Sequence, residues 1–301
     1  MADSYLIAGA TSFAASASIW TDTNGINAAN ATCFIQSGTQ TITGGLAVSI
    51  STGINNLDIL PGFSGTIGGS AGSLAVETDL ASFNASTQVS RIRYNAAGGL
   101  MNYSPQGAGG AANSAGFVQI IGGGFMSITG TGTIRRIECQ SGRLLVGAAI
   151  DSIATYRWVV SGGSATIDGI SGSTKVHALT MSGGQLILKR GIQGSTMVST
   201  GFVEGLNVCG GQLTIDAYGE TISDLRIYGG YTTILNAGTI AVISGYAGTL
   251  DFSRLQRPLT VTLLEDGPGL TVIPSKLLTI TTYSGVTNGR QSIGTGANGL
   301  T

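Results

Sequence analysis

The chain has 301 residues with 49 glycines, 5 prolines, 14 basic and 15 acidic side chains, and a formal net charge of −1. Glycine is at more than twice its ordinary ~7% share, yet it shows no period of three, which excludes collagen, and a hydrophobic content of 42% excludes simple disorder. A charge so close to zero leaves no electrostatic footprint for wrapping nucleic acid or an anionic membrane, so neither is expected as a partner.

The N-terminal stretch carries Asp3 where a secretory signal would carry basic residues, so no export signal is read and assembly inside a cell is expected. No hydrophobic run approaches the ~20 residues of a membrane-spanning helix, because Gly, Ser, Thr and Asn interrupt each one. Residues 1–35 are expected to form a cap or attachment arm, 36–283 a repeating domain, and the Gly/Thr/Ser/Asn-rich segment 284–301 a flexible or partner-binding tail.

Apolar residues rarely recur at helical spacing, and Thr, Val, Ile and Ser dominate the runs between glycines, so the chain reads as all-β. A ten-residue unit recurs along it: apolar, any, apolar, small, Gly, Gly, any, apolar, any, apolar. Echoes start at Gln40–Ile50 and Val118–Ile128. Clearer copies run from Ile137 to Val146 and from Trp158 to Ile167, and three gapless ones from Leu179 to Leu188, Leu206 to Ile215 and Leu225 to Ile234. A decayed copy is read at Ala241 to Leu250. Marking the second glycine position gives 142, 163, 184, 211, 230 and 246, with steps of 21, 21, 27, 19 and 16 residues.

Equivalent positions that repeat every ~20 residues fit coils stacked on one another better than hairpins. The expected fold is an all-β, single-stranded parallel β-helix, a solenoid with irregular terminal segments. Leu179, Leu206 and Leu225 should form one interior ladder and Met181, Val208 and Ile227 the next, with the glycine pair making the sharp corner between two strands.

Candidates for chemistry are sparse. Cys33, Cys139 and Cys209 lack the spacing of a zinc site or a disulfide framework and read as reduced filler. The single histidine, His177, has only Lys175 nearby, so no Ser-His-acid triad can be assembled. Asp168, Asp216 and Asp251 each follow a repeat and are expected as a column of corner acids, with backbone hydrogen bonding weighed above a catalytic or cation-binding row. Glu220 with Asp224 and Glu265 with Asp266 read as loop acids. Glycine runs such as Gly44-Gly45 and Gly122-Gly123-Gly124 are followed by no GK[ST] and read as corners rather than phosphate-binding loops. No catalytic residue, cofactor or metal is assigned, and no enzymatic activity is expected.

Outward positions carry more information. Position nine reads Leu145, Thr166, Ile187, Thr214, Thr233 and Thr249; a flat threonine face suits ice, but high β propensity explains the column without a function and the regular two-threonine-wide array of an ice binder is missing, so ice binding is not expected. Apolar Leu145 and Ile187 on an outward side suggest packing against another chain. Tyr228, Tyr231 and Tyr246 are expected to cluster near the last corners as a protein or glycan contact. These five residues are the candidate partner contacts.

Low charge, Ser/Thr/Gly/Ala richness and irregular Gly-Gly coils over Ile137–Leu250, with stretches such as Leu57–Gly68, resemble bacteriophage virion proteins of the parallel β-helix type, which include capsid decoration (cement) proteins and tailspikes. The resemblance implies a non-enzymatic structural protein of the virion, assembled in the host cytoplasm. It implies a homotrimer that binds the major capsid protein and stabilises the head shell. The rival it implies is a tailspike or tail fibre that binds, and in one version cleaves, host surface glycan; a secreted adhesin-like passenger domain is disfavoured by the missing export signal.

Overall fold

A computed structural model describes residues 4–6, 21, 32–42, 56–67, 74–76, 91–105, 114–128, 133–147, 158–168, 178–190 and 205–285. The described residues form strands, turns and bends, with no helix among them. The chain divides into two compact units, Met1–Asp151 and Ser152–Thr301. Each is a parallel β-solenoid, as the repeat predicts.

In the first unit the strands before the corner are Ser4–Tyr5, Thr32–Gly38, Asn56–Phe63, Arg91–Tyr94, Ser114–Ile120 and Thr133–Cys139, each paired in parallel with the next. Beyond the corner, Thr41–Ile42, Thr66–Ile67, Leu100–Pro105, Phe125–Ile128 and Arg143–Val146 form a second parallel sheet. Strand alternation sends every second side chain inward. Cys33, Leu57, Ile92, Val118 and Ile137 therefore stack in register as one buried ladder, and Ile42, Ile67, Met101, Met126 and Leu144 as another. Each inward side chain of this size contributes ~1.5–3 kcal/mol of burial, so the repeated positions alone favour stacked coils.

Within the segment 1–35, expected as a cap or attachment arm, Ser4–Tyr5 pairs in parallel with Cys33–Phe34. One expectation is corrected here. The echo at Gln40–Ile50 is displaced: Thr41–Ile42 pairs with Thr66–Ile67, so it follows a corner instead of preceding one. Gly44 and Gly45 lie outside the described residues.

In the second unit Trp158–Val160, Leu179–Met181, Leu206–Val208 and segments 225–227, 243–245, 264–266 and 283–285 stack as the sheet before the corner. Leu179, Leu206 and Leu225 are in register and buried, as are Met181, Val208 and Ile227. After the corner, Ser164–Ile167, Gln185–Leu188 and segments 212–215 and 231–234 stack likewise. The long strands Gln212–Ile227, Tyr231–Asp251 and Leu259–Ile273, closed by Leu278–Gly285, add a third face from segments 221–223, 239–241, 260–262 and 279–281.

Corners between the first two sheets are stacked glycines. Gly184, Gly211, Gly230 and Gly248 all have positive φ, between 72° and 92°. A Cβ on Gly230 would lie 2.7 Å from the Gly211 carbonyl oxygen, and one on Gly248 2.6 Å from that of Gly230. Only glycine meets both demands. This ladder corrects the decayed copy: Thr249 N donates to Gly230 O as Tyr231 N does to Gly211 O, so Gly248 is the corner and the unit runs Ile243 to Phe252. The reading that placed Tyr246 at the second glycine was two residues out of step, and the last step is 18 residues, not 16.

Candidate functional site

Outward positions of the second unit present a chain of exposed aromatics. Tyr228 and Tyr246 both take the fourth position, just before the glycine corner, in consecutive coils. Parallel stacking brings their rings to 5.0 Å between centroids with planes 6° apart. Cys209 holds that position one coil earlier and Gly267 lies against the Tyr246 backbone, so short side chains flank the ring pair on both sides. Across the corner Tyr231 is also exposed, and its hydroxyl donates to Asp251 Oδ2 at 2.7 Å.

Ile187 stands two coils before Tyr231 on the sheet after the corner, in register with Thr166, Thr214 and Thr233, and is 37% exposed. The structure thus joins Tyr228 to Tyr246, with Tyr231 across the glycine corner and Ile187 farther along the same unit. Leu145 belongs to the first unit, where it is half-buried opposite Ser127.

The acids are engaged by neighbours. Arg190 Nε donates to Asp168 at 2.6 Å and Asn236 Nδ2 to Asp216 Oδ1 at 2.7 Å. Asp251 accepts from Ser253 N at 2.8 Å and Ser253 Oγ at 2.6 Å as well as from Tyr231. Burial pushes the Asp251 carboxyl up, but the Ser253 hydroxyl, the Tyr231 hydroxyl, the Ser253 amide and the Arg254 charge outweigh it and hold it below the ordinary range. The expected column of three is broken by the two-residue correction above. Asp168 and Asp216 share a position with Lys189 between them, whereas Asp251 takes the place of Thr233 in the next coil.

Glu220, Asp224, Glu265 and Asp266 are strand residues, not loop acids. Ser244 Oγ donates to Glu265 Oε2 at 2.6 Å and Tyr283 Oη to Asp266 Oδ2 at 2.9 Å. Asp224 is buried beside Arg226 Nη2 at 2.8 Å; its burial raises the carboxyl pKa, opposed by Arg226. No group of three His, Cys, Asp or Glu is arranged for a metal among the described residues. Cys33 and Cys139 are buried thiols, and Cys209 is an exposed one; none of the three is in a disulfide. His177 lies outside the described residues.

In the first unit, outward side chains instead form charged ladders. Arg91 Nη2 pairs with Asp58 at 3.3 Å, Arg136 with Glu138, and the Arg136 guanidinium lies 4.8 Å from the Phe117 ring centre one coil earlier. Arg143 covers Phe125 in the same way at 4.9 Å. Cation–π pairs between successive coils tie up the positive charge locally.

One set of outward residues escaped the sequence reading. Thr221, Thr239, Thr260 and Thr279 are in register on the third face of the second unit. The signal was a threonine followed by Ile or Val, recurring at steps of 18, 21 and 19 residues between copies of the ten-residue unit. Another is Tyr218, 64% exposed and covered on one ring face by Arg257 at 4.2 Å.

No protein-family model matches the chain, and no curated protein and no solved structure is similar to it.

Proposed function

We propose that the chain is a non-catalytic structural protein of a virion, a capsid decoration protein that docks on the head shell as a trimer through the outward faces of its coils. The observation that carries this reading is the exposed Tyr228–Tyr246 stack just before the glycine corner, with Tyr231 exposed on the far side of that corner. Rigid aromatics lose little side-chain entropy on contact and dominate protein interfaces. A protein with a formal net charge of −1 gains little from long-range steering, so contact area and multiplicity supply the affinity. Pairing of Asp168 with Arg190, Asp216 with Asn236, and Asp251 with Ser253 and Tyr231 supports a structural role for those acids.

The same tyrosines favour a second reading, a tail component that holds host glycan, because sugar rings stack on aromatic faces. Copy number and position on purified particles separate the two. Hundreds of copies on the head, lost from Tyr228→Ala/Tyr246→Ala particles, support decoration. A few copies at one vertex, with binding to host polysaccharide, support the tail reading. Absence from particles overturns both.

A further inference from the structure

The third face of the second unit carries two adjacent outward columns. One is Thr221, Thr239, Thr260 and Thr279; the other, two residues further along each strand, is Ser223, Ala241, Thr262 and Thr281. Between them, Ile222, Ile240 and Val261 point inward and are fully buried. Thr221, Thr260, Thr262, Thr279 and Thr281 are exposed, and Thr239, Ser223 and Ala241 partly so. No charged residue interrupts either column. Other outward columns of this unit change chemistry from coil to coil: position two reads Thr180, Asn207, Arg226, Ser244 and Glu265.

We propose that this face binds ice. Parallel stacking fixes neighbouring hydroxyl rows ~4.8 Å apart, and the pleat fixes residues two apart on a strand at ~6.7 Å. Both spacings fall close to oxygen repeats on the prism faces of hexagonal ice. Threonine is suited to this for two further reasons. Its β-branch restricts χ1, so the hydroxyls are pre-ordered at small entropic cost. Its methyl group alternates with the hydroxyl, which excludes the strongly hydrated, liquid-like layer that charged side chains would hold. The buried Ile222, Ile240 and Val261 make a stiff backing against which the array cannot readily deform. The inference is independent of virion docking, which uses Tyr228, Tyr231 and Tyr246 near another corner.

The test uses the full chain and single ice crystals grown in its presence. Expected are faceted crystals, a freezing point held below the melting point, and uptake of the protein into a slowly grown polycrystalline ice hemisphere. Thr260→Tyr and Thr279→Tyr, each breaking the plane, should lose most of the freezing-point gap. Thr214→Tyr, on the sheet after the glycine corner, should keep it. Circular dichroism melting verifies that the variants are folded, and Thr281→Lys replaces any that is not. Round crystals with no freezing-point gap, and exclusion of the unmodified protein from ice, overturn the proposal. So does an equal loss in Thr214→Tyr and Thr260→Tyr.

Discussion

Gly230 sits directly over Gly211, so that a methyl on its α-carbon would come within 2.7 Å of the Gly211 carbonyl oxygen while its own φ is 77°. Gly219 has nearly the same φ, 79°, but open space around the missing Cβ. The pair separates two costs. Gly219→Ala should lose ~1–2 kcal/mol from the left-handed backbone alone. Gly230→Ala adds a backbone collision that forces two coils apart and should cost roughly 3 kcal/mol or more. Denaturant titration of both variants reads the difference; equal losses would show that the coils do not stack through the corner.

Tyr228 and Tyr246 should support each other's coils as well as any partner. A double-mutant cycle of Tyr228→Ala and Tyr246→Ala, read by thermal or denaturant unfolding, should give a coupling of ~0.5–1.5 kcal/mol. A coupling of zero would mean that the rings do not stack in solution.

Asp251 makes stability depend on acid. Its folded-state carboxyl lies below the ordinary 3.8, so the unfolded chain binds the proton more readily than the folded one. The stabilisation is complete above pH 3.8 and is lost as pH falls through the folded value. Asp251→Asn should flatten this acid limb and, by weakening the bonds from Ser253 and Tyr231, lower stability near neutrality by ~1–2 kcal/mol. An unchanged acid limb in a pH series of unfolding curves would contradict the assignment.

Thiol reactivity should divide the cysteines. Burial pushes the Cys33 thiol up to about 12 and that of Cys139 up to about 11, the latter against the opposing pull of a backbone hydrogen bond with Ser141. Cys209 is exposed. Maleimide labelling of the native protein followed by peptide mass spectrometry should modify Cys209 alone, with the other two reacting only after unfolding. Labelling of Cys33 in the folded protein would contradict its place in the inward ladder.

The inward ladders were legible because a parallel stack demands the same residue type at the same place in each coil. The three gapless copies beginning at Leu179, Leu206 and Leu225 therefore announced both the fold and the register. Legibility failed where the coil length changes. The pattern match took Gly245 for the first corner glycine, although Gly245 pairs with Ile227, an inward position of the previous coil, and the true corner is Gly248. Ala247 stands where the previous coil has Gly229, so the copy lacks its first corner glycine and Gly245 offers a false match two residues early.

For the outward faces the same contrast holds. The sequence pointed to Tyr228, Tyr231 and Tyr246 together because they flank glycine corners of neighbouring copies. It missed the threonine face because Thr221, Thr239, Thr260 and Thr279 lie between copies, beyond irregular pairing at 217/221 that changes the count of residues per coil. Composition and repeat settled what lies inside: burial rewards the residue type, and type is written locally. Which outward side chains meet was decided only by the stacked structure, because bulges and corners set how far each coil advances and only hydrogen bonds between coils fix that advance.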